Sequence, residues 1–262
     1  MKTWLKQWVM IGACVGSLCS PLLSADTVRI TNGEWPPYLS SALPHYGLAS
    51  RIVTEAFAEH GIEVEYGFFP WNRSIELAKA GHWDGTAVWH ASAEREALFY
   101  ISEQVIYSEY VFFHLKDREF QWSDIEDLAR YRLGGAQGYH YGEAFEKAEQ
   151  AGLIKVERVR NEDLILNMLL VGRVDAVPIN RLVGYYLMGL QHDEATRARI
   201  VHHSKPLLRG GMHLLLSRKN PANAQRMQKF NAGLRTLQER GIIDAYIKLM
   251  LPAELKTAPT AP

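Results

Sequence analysis

The sequence predicts an α/β fold of two similar lobes, each a mainly parallel sheet with flanking helices, joined by a two-strand hinge. Three observations carry this. Apolar residues switch between a period of two and a period of 3.6 in the order β-α-β-α-β, and the pattern then repeats. A helix ends at Gly81 with Asp84 three residues on, and 91 positions later another ends at Gly172 with Asp175 three residues on. Two stretches, "IYSEYVFFHLKD" and "IVHHSKPLLRGG", join the repeats without a helical period.

The elements follow in chain order. "TVRITN" alternates Val28 and Ile30 as a strand does and stops at the turn former "GEWPPY". "GLASRIVTEAFAEHG" places Leu48, Ile52, Val53, Ala56 and Phe57 on one helical face, with Gly61 as its stop. "IEVEYGFF" alternates again, and Pro70 opens a helix that ends at Gly81. Thr86, Ala87 and Val88 then run into Trp89 and His90, with Ser92 as cap of a short helix. In the second repeat, Ser123 and Glu126 have capping-box spacing. "YRLGGA" is a strand, "QGYHYG" a loop, and a helix follows through Ala151. "IKVERV" is the next strand, Asn161 caps the helix "EDLILNMLLVG", and "RVDAVPI" is a strand. "GMHLLLSR" reads as a returning strand, and Asn220-Pro221 starts a long helix with Met227, Phe230, Leu234 and Leu237 inward. The Pro/Ala/Thr-rich end after Pro252 is expected to fray.

The first 25 residues have the layout of a secretory signal. Lys2 and Lys6 precede an apolar run from Trp8 to Leu18, and Leu23-Ser24-Ala25 ends in a small residue. Cleavage is expected after Ala25, giving a periplasmic protein. Ile11-Gly12-Ala13-Cys14 loosely resembles a lipoprotein box, which leaves lipidation at Cys14 as the alternative. Both cysteines, Cys14 and Cys19, lie in this leader, so the remaining chain is expected to rely on its core rather than on a disulfide. Over the whole sequence 29 Lys+Arg balance 29 Asp+Glu, which gives no basic excess for nucleic acid. No later stretch is long and apolar enough to span a membrane.

Candidate ligand residues sit in the loops that leave predicted strand ends, where ligands of open α/β sheets bind. The first lobe offers Glu34, Trp35 and Tyr38, then Trp71 and Arg73, then Trp89, His90, Ser92 and Arg95. The second offers Gln137, Gly138, Tyr139, His140 and Tyr141, then Asn180 and Arg181. Aromatic faces give contact area at low entropic cost, and Arg gives a planar fork for a carboxylate. Arg95 at a helix start is placed against the helix dipole. Either it pairs with Glu94 or Glu96, or an anion is expected there. No metal site is expected: His202 and His203 are adjacent, so on a strand they face opposite sides. No paired-carboxylate motif, Cys nucleophile or G-x-S-x-G is present.

Taken together, "NGEWPPYLS", "FPWNRSIELAKAGHWDG", "SAER", "LGGAQGYHYGEAF" and "LLVGRVDAVPIN" make the chain resemble bacterial periplasmic solute-binding proteins of family 3 over nearly all of its length after the leader. The resemblance implies the type II periplasmic-binding-protein fold, with a signal peptide at 1–25, a first lobe at 26–111, a second at 112–210, and a return to the first lobe with C-terminal helices at 211–262. It implies that Trp35 and Trp71 sandwich a ligand and that Arg95 holds its carboxylate. Asn180 stands where the family's amino-acid binders place an Asp for the α-ammonium group, and Tyr139 stands where a small Thr is usual. The implied function is binding of a small polar, carboxylate-bearing solute for delivery to the permease of an ABC importer. The protein is expected to be a monomer with no cofactor, no metal and no catalytic residue. The alternatives are a cyclohexadienyl-dehydratase-like enzyme, with Glu34, His90 and His140 as acid/base residues, or a ligand-sensing module.

Overall fold

A computed structural model describes residues 26–137, 139–160 and 162–250. The predicted leader with its cleavage site and Cys14, the loop residue Gly138, the cap Asn161 and the end after Pro252 lie outside the described residues. Strands β1 (Asp26–Asn32), β2 (Ile62–Phe68) and β3 (Gly85–Trp89) alternate with helices α1 (Leu48–Ala58) and α2 (Trp71–Lys79), and α3 (Ala93–Leu98) follows. The long β4 (Phe99–Leu115) leads to β5 (Arg132–Ala136), α4 (Glu143–Gln150), β6 (Lys155–Val159), α5 (Glu162–Leu170) and β7 (Ala176–Asn180). Then come α6 (Arg181–Gln191), α7 (Glu194–Arg197), the second long strand β8 (Ile200–Ser217), α8 (Asn223–Glu239) and α9 (Ile242–Met250).

The strands hydrogen-bond in the order β2-β1-β3-β8-β4-β7-β5-β6. Read from its two edges the sheet has the same plan: three short strands, parallel to one another, and then a long antiparallel one. β3 pairs with the C-terminal end of β8 at residues 213–216, and β7 pairs with the C-terminal end of β4 at 110–114. The echo at Gly81 and Gly172 has a structural basis. Both glycines adopt positive φ at a helix end. Asp84 Oδ2 then accepts from Arg29 N at 2.8 Å while its own N–H donates to Arg29 O. Asp175 repeats this on Arg132, with Oδ2 to Arg132 N at 2.9 Å. In each half the carboxylate ties the residue before the third strand to the first strand, at its middle in Arg29 and at its start in Arg132.

The predicted face of α1 is buried: Leu48, Ile52, Val53, Ala56 and Phe57 all lie in the core. It meets α8, with Phe57 and Phe230 at 4.9 Å between ring centroids. A Cβ on Gly233 would lie 2.0 Å from Ala56 O, so only glycine allows this helix crossing. Met227, Phe230, Leu234 and Leu237 face inward as expected. Three local expectations change. The cap near residue 123 is one residue later, with Asp127 Oδ2 accepting from the backbone N–H of Ser123 and Asp124. α8 starts at Asn223 rather than at Asn220-Pro221, because the Asn220 side chain bonds Asp84 Oδ1 and Ala222 N instead of continuing a helix. Arg181 opens helix α6 and is not in a loop.

Candidate ligand cleft

The turn after β1 is closed by two backbone hydrogen bonds, Trp35 N to Leu39 O (2.7 Å) and Leu39 N to Trp35 O (3.0 Å). It holds Trp35 stacked on Tyr38 at 4.5 Å. Trp71, at the start of α2, lies against Gly33; a Cβ there would be 2.4 Å from the indole. The glycine at the end of β1 therefore makes room for the tryptophan at the start of α2. Trp89 ends β3, and its Nε1 donates to Thr86 Oγ1 at 2.9 Å. Trp71 and Trp89 then meet edge to face at 5.1 Å.

The crossing strands sort their side chains by parity, since alternate residues of a strand face opposite sides. Ser108 is opposite Gly210 and Tyr110 opposite Leu208, whereas Glu109 is opposite Arg209. Ser108, Tyr110 and Leu208 face a cavity of about 390 Å³ together with Met212. Trp35, Trp71, Val88, Trp89, His90 and Arg95 line it from the first half of the sheet, and Tyr139 and His140 from the second. Glu109 and Arg209 face a larger cavity, about 720 Å³, on the other side. There Glu109 pairs with both Arg181 (3.1 Å) and Arg209 (3.0 Å), so each of these arginines already shares a carboxylate partner.

Arg95 is different. Its Nη1 donates to His90 O at 2.6 Å, and its guanidinium lies 4.9 Å from the centre of the Trp89 ring. Among the described residues it forms no ion pair within 4 Å; burial lowers its pKa, and the Glu94 charge opposes this only from farther away. Ser92 caps α3 as expected, accepting from Arg95 N at 3.3 Å. That helix has six residues, so its dipole adds little, and the attraction for an anion rests on the guanidinium itself. Beside it, His90 Nδ1 lies 3.2 Å from Gly211 O, which accepts its proton and leaves Nε2 as the unprotonated nitrogen. Burial pushes the His90 pKa below the ordinary imidazole value; the Gly211 carbonyl opposes this, and Arg95, His213 and His140 reinforce it.

The structure thus gathers Trp35, Trp71, Trp89, His90, Arg95 and Tyr139 in one cavity. His140 joins them, and eight of the other described candidates are not among its lining residues: Arg181 lies on the back of the crossing strands, Tyr141 is buried with its Oη accepting from Ala136 N, and six more are engaged elsewhere. Glu34 is exposed and accepts from Ser41 N and Oγ. Arg73 is exposed over the Phe69 ring, Ser92 serves as a cap, and Gln137 is exposed with its N–H on Val159 O. Tyr38 and Asn180 are buried behind the cavity wall and bond to each other, Tyr38 Oη donating to Asn180 Oδ1 at 3.1 Å. Asn180 Oδ1 also accepts from Leu182 N and Val183 N, capping α6, and its Nδ2 donates to Ser108 Oγ at 3.1 Å. The Asn180 oxygen is therefore fully engaged within the protein, and the side chain meets the cavity wall through Ser108.

Two sets of residues escape a reading of strand ends. One is the wall from the crossing strands: Ser108, Tyr110, Leu208 and Met212. The other is Arg158, which braces the Tyr139 loop. Its Nη1 donates to Ala136 O and Tyr139 O, both at 2.9 Å, while Nη2 and Nε hold Glu149 and Nη2 also reaches Glu146. Hydrogen bonding to Glu149 drives the Arg158 pKa up against burial, with the Glu146 charge adding to it.

No family model and no curated protein sequence matches the chain. Solved structures do. The second substrate-binding domain of a putative amino-acid ABC transporter from Streptococcus pneumoniae is 18% identical, with 87% of this chain and 100% of that one covered and a TM-score of 0.67. Substrate-binding domain 2 of Lactococcus lactis GlnP, in an open conformation, is 16% identical over 87% and 96% of the two chains, with a TM-score of 0.68. A histidine kinase sensor domain with similarity to periplasmic binding proteins is 18% identical over 87% and 97%, with a TM-score of 0.63. The doubled strand plan, the two long crossing strands and these likenesses agree: the chain has the two-lobed, type II periplasmic-binding-protein fold.

Proposed function

We propose that this is a family 3 solute-binding protein that holds a small carboxylate-bearing solute between its lobes and delivers it to the permease of an ABC importer. The observation that carries the reading is Arg95: a half-buried guanidinium without an ion-pair partner among the described residues, on the wall of an aromatic cavity fed by both halves of the sheet. Residues 26–111 with 211–250 would form one lobe and 112–210 the other, with the solute drawing them together by touching both. Residues 1–25 would be the leader removed after Ala25 on the way to the periplasm, and the protein would act as a monomer. The substrate-binding domains among its structural neighbours support delivery to a transporter. The kinase sensor domain on the same fold supports a second outcome of the same binding event, signalling.

Thermal melting against a panel of carboxylates and amino acids tests the reading. A solute at 100 times its Kd adds about 2.7 kcal/mol of stability, roughly 5–10 °C for a chain of this size. Arg95→Ala should abolish that shift and leave the unliganded melting point within a few degrees, since no ion pair is lost. An Arg95→Ala protein that binds the solute as tightly as the wild type would overturn the anion clamp.

A further inference from the structure

We infer that the solute is a planar, aromatic carboxylate without an ammonium group; this rests on the reading of the same cavity as a carboxylate site. Among the described residues the cavity lining contains no Asp or Glu. Its charged and titratable side chains are Arg95, His90 and His140, with the phenols of Tyr110 and Tyr139. The carboxylates around it are engaged elsewhere: Glu34 by Ser41, Glu109 by two arginines on the opposite face of the crossing strands, and Glu146 and Glu149 by Arg158. The position that would meet an α-ammonium by resemblance holds Asn180, whose oxygen already accepts three hydrogen bonds. An ammonium entering here would lose its water and gain no anionic partner, while facing the Arg95 guanidinium. A carboxylate gains Arg95 at one end.

The rest of the lining specifies the body of the ligand. Trp71 and Trp89 form a right-angled corner at 89°, and Trp35, Tyr110 and Tyr139 add three further rings. Aromatic faces favour another flat ring through offset or edge contacts. At about 390 Å³ the cavity is at the small end of ligand sites, room for a one- or two-ring acid. Trp35 is fixed by its stack on Tyr38 and Trp89 by its bond to Thr86, so these walls are preorganised for that shape.

Matched ligands separate the terms. 3-Phenylpropanoate and L-phenylalanine share the ring and the carboxylate and differ by the ammonium group. Titration calorimetry with the protein from residue 26 onward should give at least tenfold tighter binding for 3-phenylpropanoate or indole-3-acetate than for L-phenylalanine. It should give no binding for L-arginine or for 2-phenylethylamine, and Trp71→Ala should weaken the aromatic acids at least tenfold. L-phenylalanine binding as tightly as 3-phenylpropanoate would overturn the inference. So would binding of aliphatic acids such as adipate through Arg95 with aromatic acids excluded, a result that leaves the carboxylate reading standing. If no carboxylate of the panel binds, both fall.

Discussion

Asn180→Ala distinguishes a residue that holds the fold from one that holds the ligand. The side chain caps α6 through Leu182 and Val183 N–H and receives the buried Tyr38 hydroxyl. Losing an N-cap of this kind costs about 1 kcal/mol. Stranding the Tyr38 hydroxyl, which is 2% exposed, costs about 1–3 kcal/mol more. The sum, about 2–4 kcal/mol, corresponds to roughly 5–15 °C in melting temperature for a chain of this size. Tyr38→Phe leaves the cap intact and should cost only about 1 kcal/mol. The double variant should be less destabilised than the sum of the singles, because the two groups share one bond. Differential scanning calorimetry gives the melting points, and calorimetric titration of a carboxylate ligand gives affinity. We expect a large melting shift and binding within about fivefold of wild type. An Asn180→Ala protein that melts like the wild type but no longer binds would show that Asn180 acts on the ligand, and the structural reading would be wrong.

Two further predictions concern pH and the second-lobe loop. Burial lowers the pKa of His90, His114 and His202 in the folded protein. Their contribution to stability is full above the unfolded imidazole value of about 6.5 and is lost as pH falls through the lower folded values. The unliganded melting point should therefore drop between about pH 7 and 5, while carboxylate affinity rises because a bound anion favours protonated His90. His90→Gln should flatten the affinity profile, and an affinity that falls with pH would refute the placement of His90 beside the anion. Arg158→Ala removes the brace of the Tyr139 loop and strands two carboxylates. It should cost about 2–4 kcal/mol and weaken ligand binding at least tenfold by fluorescence titration, with Arg158→Lys failing to rescue because it lacks the fork; normal binding would show that the loop holds its shape without Arg158.

The strand–helix alternation is legible in the sequence because it rests on local period, and Trp35, Trp71, Trp89 and Arg95 are legible because each stands beside a strand end. Arg158 is not. It sits in "KVERV", where alternation assigns a polar residue to solvent, and its partners Glu146 and Glu149 come from α4. Asn180 shows the limit in the other direction. The end of a strand before a loop reads as a ligand contact, but its oxygen is claimed by Tyr38, 142 residues earlier. Helix α6 is hidden for a related reason. Leu182, Val183, Leu187 and Met188 are buried, yet its first residue, Arg181, is a cation that reads as a loop until Glu109 is seen to pair with it. Ser108 and Tyr110 belong to a strand with no helical or turn signal, so nothing local says which of its faces meets a ligand.

That two-sidedness makes the crossing strands sensitive to reading frame. From Tyr107 to Tyr110, and across from them at Leu208 and Arg209, each position is committed to one side: a phenol and a hydroxyl to the cavity, a carboxylate and a guanidinium to the back. Substitution alters one side chain at a time. Deleting or inserting a single residue within this stretch exchanges the two sets, turning Glu109 toward the ligand and Tyr110 toward Arg181. A binding surface built on surface loops absorbs length changes, whereas this one would reverse its charge preference in a single step. Natural variation in ligand should therefore accumulate at the loop residues around Trp35, Trp71 and Tyr139, with the length of the two crossing strands held fixed.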